Sequence, residues 1–69
     1  MQIIDDNTVV VNNSEEFKKA LSEENDYNYI YLGKDITLTS CFTINANKTN
    51  LIIDGTYNNV KYTYTNKLN

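Results

Sequence analysis

Two carboxylates, Asp35 and Asp54, are the side chains of this sequence best suited to acid–base chemistry. A pair of carboxylates can hydrolyse a glycosidic bond when the two groups face each other across a cleft. Each of these aspartates lies close to a glycine, in the segments Gly33-Lys34-Asp35 and Asp54-Gly55. Asp and Gly together favour turns, because Gly adopts positive φ at no steric cost and Asp bonds to nearby backbone. The sequence therefore predicts turn residues at both places and no catalytic residue.

The other reactive side chains match neither a nucleophile nor a metal site. The single cysteine, Cys41, has no His in the chain to activate it and no Lys or Arg as an immediate neighbour. We interpret it as a small, half-buried strand residue. One Cys without His cannot form a zinc site, and the acidic residues lack the spacing of a calcium loop. We expect no metal and no cofactor.

The six tyrosines are the strongest candidates for a binding surface. A tyrosine presents a flat apolar ring with a polar hydroxyl, so an exposed group of them can stack on sugars or bind a protein. The competing interpretation is ordinary strand propensity with partial burial under loops. The predicted binding surface comprises Tyr29, Tyr31, Tyr62 and Tyr64.

Composition limits both the size of the fold and its partners. The chain has 69 residues and a net charge of −3, and all its cations are lysines. Nucleic-acid binding needs a basic face, usually with Arg, so this class of partner is disfavoured. The first residues carry neither a basic start nor a long apolar run, so no signal peptide or membrane span is predicted. Without disulfide or metal, such a small domain needs further sequence or a second copy to become stable.

A short strand and a helix are predicted at the beginning of the chain. Thr8 to Asn12 is β-branched and reads as a strand. Asn13 suits a helix N-cap, because Glu16 follows three residues later as in a capping box. Within residues 14–24, one narrow apolar stripe is expected to dock on the open end of a β-stack. Its members lie at i, i+3 and i+4: Phe17, Ala20 and Leu21.

After Tyr27 the hydrophobic pattern alternates with period two, as in half-buried strands. The residues predicted to face the core are Ile30, Leu32, Ile36 and Leu38, and later Leu51 and Ile53. Leu51 follows Ile30 by 21 positions, a period at which stacked solenoids begin. Val60 to Thr65 is expected to form one final strand. A charge placed at Leu32 or Ile53 should then unfold the segment.

The segments TVVVNNSEEFKKAL, YIYLGKDITL and NLIIDG together resemble the N-terminal part of pectate-lyase-like right-handed parallel β-helix proteins. The resemblance covers roughly Thr8 to Tyr64 and rests on structural motifs. It implies a mainly β fold, a short right-handed parallel β-helix of about two coils with an N-terminal amphipathic capping helix, whereas solenoids usually have three or more repeats. The sequence also departs from active members, since the Arg, Lys and carboxylate clusters of their later coils are missing.

From this resemblance we expect residues 1–69 to form a single β-helix-type domain, the N-terminal part of a longer protein. The implied function is a non-enzymatic structural cap or scaffold in a cell-surface or phage-associated protein that engages carbohydrate, and hence an extracellular, surface or virion location. Self-association through the open C-terminal coil is expected, with a carbohydrate or protein partner and no nucleic acid or membrane.

Three alternatives remain open from the sequence. The first is the N-terminal fragment of a polysaccharide lyase or hydrolase whose active site lies beyond Asn69. The second is a small acidic module that binds a protein through its surface tyrosines. The third concerns the fold, a twisted antiparallel sheet with one helix whose hairpins turn at Gly33 and Gly55.

Overall fold

A computed structural model describes residues 1–67 of the chain. It is mainly β with one short helix, in agreement with the predicted class. The elements in chain order are β1 (Gln2–Asp5), β2 (Thr8–Val11), α1 (Ser14–Ser22), β3 (Tyr29–Leu32), β4 (Ile36–Leu38), β5 (Ile52–Asp54), β6 (Thr56–Tyr57), β7 (Val60–Lys61) and β8 (Tyr64–Asn66).

The largest sheet has the strand order β1-β2-β3-β5, and its last three strands are parallel. Val9 pairs with Ile30, and Ile30 pairs with Ile53, so one row of side chains points to the same face of the sheet. The 21-residue repeat would align Ile30 with Leu51, which differs from the observed partner Ile53 by two residues. Because side chains alternate with period two, this even shift leaves each residue on its predicted face.

A second, two-stranded sheet pairs β4 with β8 in parallel, Ile36 opposite Tyr64. The two small antiparallel strands β6 and β7 form a hairpin between β5 and β8. The single final strand predicted over Val60 to Thr65 is therefore two strands, β7 and β8, in different sheets. All three sheets are small. The largest is mixed, because β1 pairs with β2 in the antiparallel direction while its other strands are parallel.

The predicted alternative with hairpins at Gly33 and Gly55 does not form, because the strands flanking each glycine belong to different sheets. Neither glycine has a positive φ angle, although access to positive φ was the reason expected for glycine at these positions. A Cβ on Gly33 would lie 2.3 Å from Asn12 Oδ1, and one on Gly55 would lie 2.8 Å from the carbonyl oxygen of Tyr62. At Gly55 the close neighbour is backbone, so glycine is required there, whereas at Gly33 the close neighbours are the side chains of Asn12 and Val10.

The N-cap prediction for α1 is confirmed. Asn13 Oδ1 accepts a 2.9 Å hydrogen bond from the Glu16 backbone N–H. The Glu16 carboxylate accepts bonds from the Asn12 N–H at 3.0 Å and from the N-terminal amine of Met1 at 2.8 Å. The bond from the terminal amine is the main reason that the pKa of Glu16 is lowered. The helix ends at Ser22, two residues before the predicted end.

The hydrophobic core contains the predicted inward-facing residues of the first layers. Its members are Val9, Val11, Phe17, Ala20, Leu21, Ile30, Leu32, Ile36 and Leu38. Ile53 was also predicted to lie in the core, but its side chain is 43% exposed. The reason is that β5 is an edge strand, and no further layer of the described residues covers it. Cys41 is exposed in a segment without strand structure, so its predicted half-buried strand position is wrong.

Candidate functional site

Three tyrosine rings lie next to one another on the outer face of the largest sheet. The ring centroids of Tyr29 and Tyr31 are 4.8 Å apart, and those of Tyr31 and Tyr57 are 5.3 Å apart. All three side chains are half-buried. We call Tyr29, Tyr31 and Tyr57 the tyrosine row.

Strand alternation and a tight hairpin together position the tyrosine row. Tyr29 and Tyr31 alternate along β3 with the buried Ile30, which turns both rings outward. Tyr57 enters the row from β6, whose hairpin with β7 has Asn58 and Asn59 at its tip with φ angles of 53° and 65°. A two-residue hairpin loop with two positive φ angles suits Asn, and its twist matches that of the strands.

The carboxylate of Asp54 lies beside the row and is held from two sides. The Tyr29 hydroxyl donates a 2.7 Å bond to Asp54 Oδ2, and the Thr56 backbone N–H donates a 2.9 Å bond to Oδ1. Asp54 pairs with Tyr31 across β3 and β5, so Tyr29 reaches it along the diagonal of the sheet. The carboxylate is thereby fixed with its charge next to aromatic rings.

Both partners of this contact have shifted pKa values. The hydrogen bond to Asp54 is the main cause that raises the pKa of Tyr29 to about 12, followed by desolvation. The Thr56 N–H, followed by the Tyr29 hydroxyl, lowers the pKa of Asp54. At neutral pH the tyrosine is therefore a neutral hydrogen-bond donor and the aspartate is an anion.

An open groove of about 610 Å³ lies along one side of the row and contains the Asp54 carboxylate. Its lining residues are Ile4, Tyr31, Asp54, Thr56, Tyr57, Asn58 and Asn59. None of these described lining residues is a cation. The groove therefore combines ring faces, amides, a hydroxyl and one negative charge.

The structure brings together two of the four tyrosines predicted as a binding surface, Tyr29 and Tyr31. Tyr62 packs partly buried against the hydrophobic core. The Tyr64 ring lies 5.3 Å from the Phe17 ring. Tyr57 takes their place in the row, and the sequence signal for it is the Asn58-Asn59 pair between two β-formers, which predicts a hairpin. Whether any of these tyrosines binds a ligand stays a prediction.

The predicted resemblance to pectate-lyase-like proteins agrees with a match to a known protein family. A family model described as "Putative pectate lyase-like adhesive domain" matches residues 8–69. The chain belongs to this family. The predicted pectate-lyase-like resemblance is thus confirmed. No significant match was found among curated proteins or solved structures.

The family description points this adhesive domain toward a carbohydrate-related function at a surface. It names adhesion, which favours a non-catalytic role. None of the helices in residues 1–67 has the length and apolar character needed to cross a membrane.

Asp35 and Asp54 have different hydrogen-bond partners. Asp35 Oδ1 accepts a 2.8 Å bond from the Thr63 backbone N–H and contacts the Thr63 hydroxyl at 3.3 Å. Asp54 instead accepts from Thr56 and Tyr29. Asp35 thus fixes the corner before β4, as predicted, whereas the predicted turn position of Asp54 is wrong, because Asp54 is the last residue of strand β5. Residues 1–67 contain no group of three or more His, Cys, Asp or Glu that could hold a metal ion.

A second surface of the chain is apolar and lies at the open end of its core. This groove of about 370 Å³ is lined by Phe17, Leu21, Phe42, Ile44, Ile53 and Tyr64. We call these six residues the open end. Phe17 and Leu21 form its floor, because their side chains are almost fully buried, whereas Ile44 and Ile53 are 47% and 43% exposed.

Proposed function

We propose that the chain is a non-enzymatic cap and scaffold, the N-terminal end segment of a right-handed parallel β-helix in a longer adhesive protein. The observation that carries this proposal is the stacking of successive chain segments in parallel. β2, β3 and β5 stack in one ladder, while β4 and β8 stack in another. Repeated passes of the chain through the same two ladders are the building plan of a solenoid.

The position of α1 supports the capping role. In the later layers β3 is followed by β4, and β5 is followed, after a hairpin, by β8. In the first layer β2 is followed by α1, which packs on β2 and on β4. The helix thus takes the place of a second strand, and its stripe of Phe17, Ala20 and Leu21 is buried in the core. Because β1 already pairs with the outer edge of β2, the helix covers the β4 side of the first layer, where another strand could otherwise associate.

The open end supports a role in a longer stack. β5 is an edge strand, and the exposed Ile53 points to the same face as the buried Ile30. In a solenoid, the next layer would cover such residues, since each repeat buries its apolar face against its neighbours. For the isolated 69-residue chain, a second copy can provide this cover.

The non-enzymatic character is supported by the carboxylates. Asp54 accepts a backbone N–H bond from Thr56 and Asp35 accepts one from Thr63, so the two carboxylates are engaged at different places in the chain. General acid–base hydrolysis of a glycosidic bond requires two such groups facing each other. The bonds that Thr56 and Thr63 donate support structural roles for both aspartates.

Light scattering across a concentration series tests whether the open end associates. We expect the wild-type chain to form dimers or larger assemblies, and Ile53→Asp to remain monomeric because it charges the contact surface. Ile52→Asp is the matched control, since Ile52 is 49% exposed on the opposite face of the same strand. A wild-type monomer at every concentration, or equal loss of association in both variants, would contradict the proposal.

A further inference from the structure

We propose that the tyrosine row and Asp54 form a binding site for a neutral saccharide. This site lies outside the open end, on a different face of the sheet, and does not depend on stacking of further layers. It would supply a specific ligand contact, which a cap or scaffold role by itself does not explain.

The rings provide the apolar part of the site. The ring planes of Tyr29 and Tyr31 are tilted by 45° to each other, and those of Tyr31 and Tyr57 by 52°. Neighbouring rings are therefore inclined to each other and are not stacked in parallel. A sugar ring is amphipathic, with C–H groups on its faces and hydroxyls around its edge. Its C–H face can pack on a tyrosine ring while its hydroxyls remain free to form hydrogen bonds.

Asp54 and the hairpin tip provide the polar part of the site. Each oxygen of an ionised carboxylate has two lone-pair positions. In Asp54 one position on Oδ1 is taken by Thr56 and one on Oδ2 by Tyr29, which leaves an acceptor on each oxygen. Two neighbouring sugar hydroxyls can donate to these acceptors. Asn58 and Asn59, both exposed, add amide donors and acceptors at the rim of the same groove.

The charge of the groove favours neutral sugars over acidic ones. Asp54 is the charged side chain among the lining residues, and its lowered pKa keeps it ionised at neutral pH. Lys61 lies opposite Thr56 in the hairpin and is not among the residues that line the groove. A uronic acid would therefore place its carboxylate near Asp54 without a compensating cation, and like charges brought together are repelled.

The composition of the groove also favours a sugar over a protein partner. A stable protein interface buries roughly 800 Å² on each side around an apolar centre. Here the rings are half-buried and alternate with a carboxylate, amides and a hydroxyl. Small sites with a few placed polar groups beside aromatic rings are typical of small-ligand recognition.

NMR titration of the full 69-residue chain tests the site, with the Ile53→Asp variant used if the wild type associates. The probes are cellohexaose, xylohexaose and mannohexaose as neutral sugars and hexagalacturonate as the acidic one. We expect at least one neutral probe to shift the resonances of Tyr31, Tyr57 and Asn58. Hexagalacturonate should bind about tenfold more weakly than that probe.

Variants assign the binding to the proposed residues. Tyr57→Ala should weaken binding about fivefold, because one stacking ring is lost. Tyr64→Ala is the matched control, since it removes a ring outside the row, and it should leave the affinity unchanged. Asn58→Gly removes an amide while keeping the positive φ of the hairpin, and it should also weaken binding. Asp54→Asn should reduce the difference in affinity between the neutral probes and hexagalacturonate, because it removes the negative charge of the site.

Several outcomes would overturn the inference. These are the absence of shifts with all three neutral probes at millimolar concentrations, equal or tighter binding of hexagalacturonate, and equal effects of Tyr57→Ala and Tyr64→Ala. Shifts of the tyrosine row that follow protein concentration alone would assign this face to a protein contact. None of these results bears on association through the open end, which the Ile53→Asp and Ile52→Asp pair tests separately.

Discussion

The hydroxyl of Tyr29 donates a 2.7 Å hydrogen bond to Oδ2 of Asp54, a residue 25 positions later in the chain. The two residues lie on neighbouring parallel strands, β3 and β5, and their bond crosses the ladder diagonally. It joins the second layer of the stack to the third. It also fixes the charge of the candidate sugar site, so the same contact has consequences for titration and for binding.

Asp54→Asn should return the pKa of Tyr29 from about 12 toward its ordinary value of 10.0, because the anionic acceptor is removed. The folded-state pKa of Tyr29 is raised. The contact therefore stabilises the fold fully below pH 10 and loses that effect as pH rises through the folded-state value. NMR titration of the Tyr29 ring in the wild type and in the variant measures the shift. An unchanged Tyr29 titration in the variant would contradict the contact.

The stabilising effect of the same hydrogen bond is also lost at low pH. The pKa of Asp54 is lowered by the Thr56 N–H and then by the Tyr29 hydroxyl. The contribution of Asp54 is therefore present above the ordinary value of 3.8 and is lost as pH falls through its lower folded-state pKa. We expect Tyr29→Phe to raise the pKa of Asp54 toward 3.8, measured by NMR of the carboxyl carbon. Tyr57→Phe, which changes a tyrosine that makes no described bond to Asp54, is the control.

Leu32→Asp and Ile53→Asp should have different effects, although the sequence pattern predicts unfolding for both. Leu32 is 2% exposed, so an aspartate there would bury a charge without a partner, and we expect the domain to unfold. Ile53 is 43% exposed, so its variant should remain folded. Circular dichroism and thermal denaturation measure the outcome. A folded Leu32→Asp variant would show that the core assignment is wrong.

Asn13→Ala should lower the free energy of unfolding by about 1 kcal/mol, because the helix loses its N-cap. The bond from the Glu16 N–H to Asn13 Oδ1 is the specific interaction removed. Asn13→Ser is the matched control, since it keeps a side-chain oxygen that can accept the Glu16 N–H at the cap without placing a second carboxylate beside Glu16. Urea denaturation distinguishes the two variants, and equal stability of both would contradict the capping role.

Gly55→Ala should destabilise the fold by about 1 to 3 kcal/mol through overpacking. The new Cβ would lie 2.8 Å from the backbone oxygen of Tyr62, whose N–H bonds to the Gly55 carbonyl at 2.7 Å. The backbone cannot give way without loss of this bond. Asn59→Gly is the control, because Asn59 has a positive φ that glycine adopts freely, and it should change stability little. Both are measured by denaturant unfolding.

Neighbouring residues alone determined the local elements of this protein. The N-cap Asn13 with Glu16, and the stripe of Phe17, Ala20 and Leu21, depend on contacts within a turn or two of helix. The inward positions of Ile30, Leu32, Ile36 and Leu38 follow from the period of a strand and are all buried. The family resemblance rests on these same local patterns, which is why it could be found in the sequence.

Only the tertiary structure decided the register, the exposed end and the membership of the tyrosine row. Ile30 pairs with Ile53, although the 21-residue repeat would align it with Leu51, and Tyr57 joins the row through a hairpin inserted after β5. Longer loops between layers cost little extra entropy, so the spacing of apolar residues does not fix which ones pair. Burial of Ile53 depends likewise on whether another layer covers it. Periodicity specifies the face of a strand, whereas contacts between distant segments specify its neighbour.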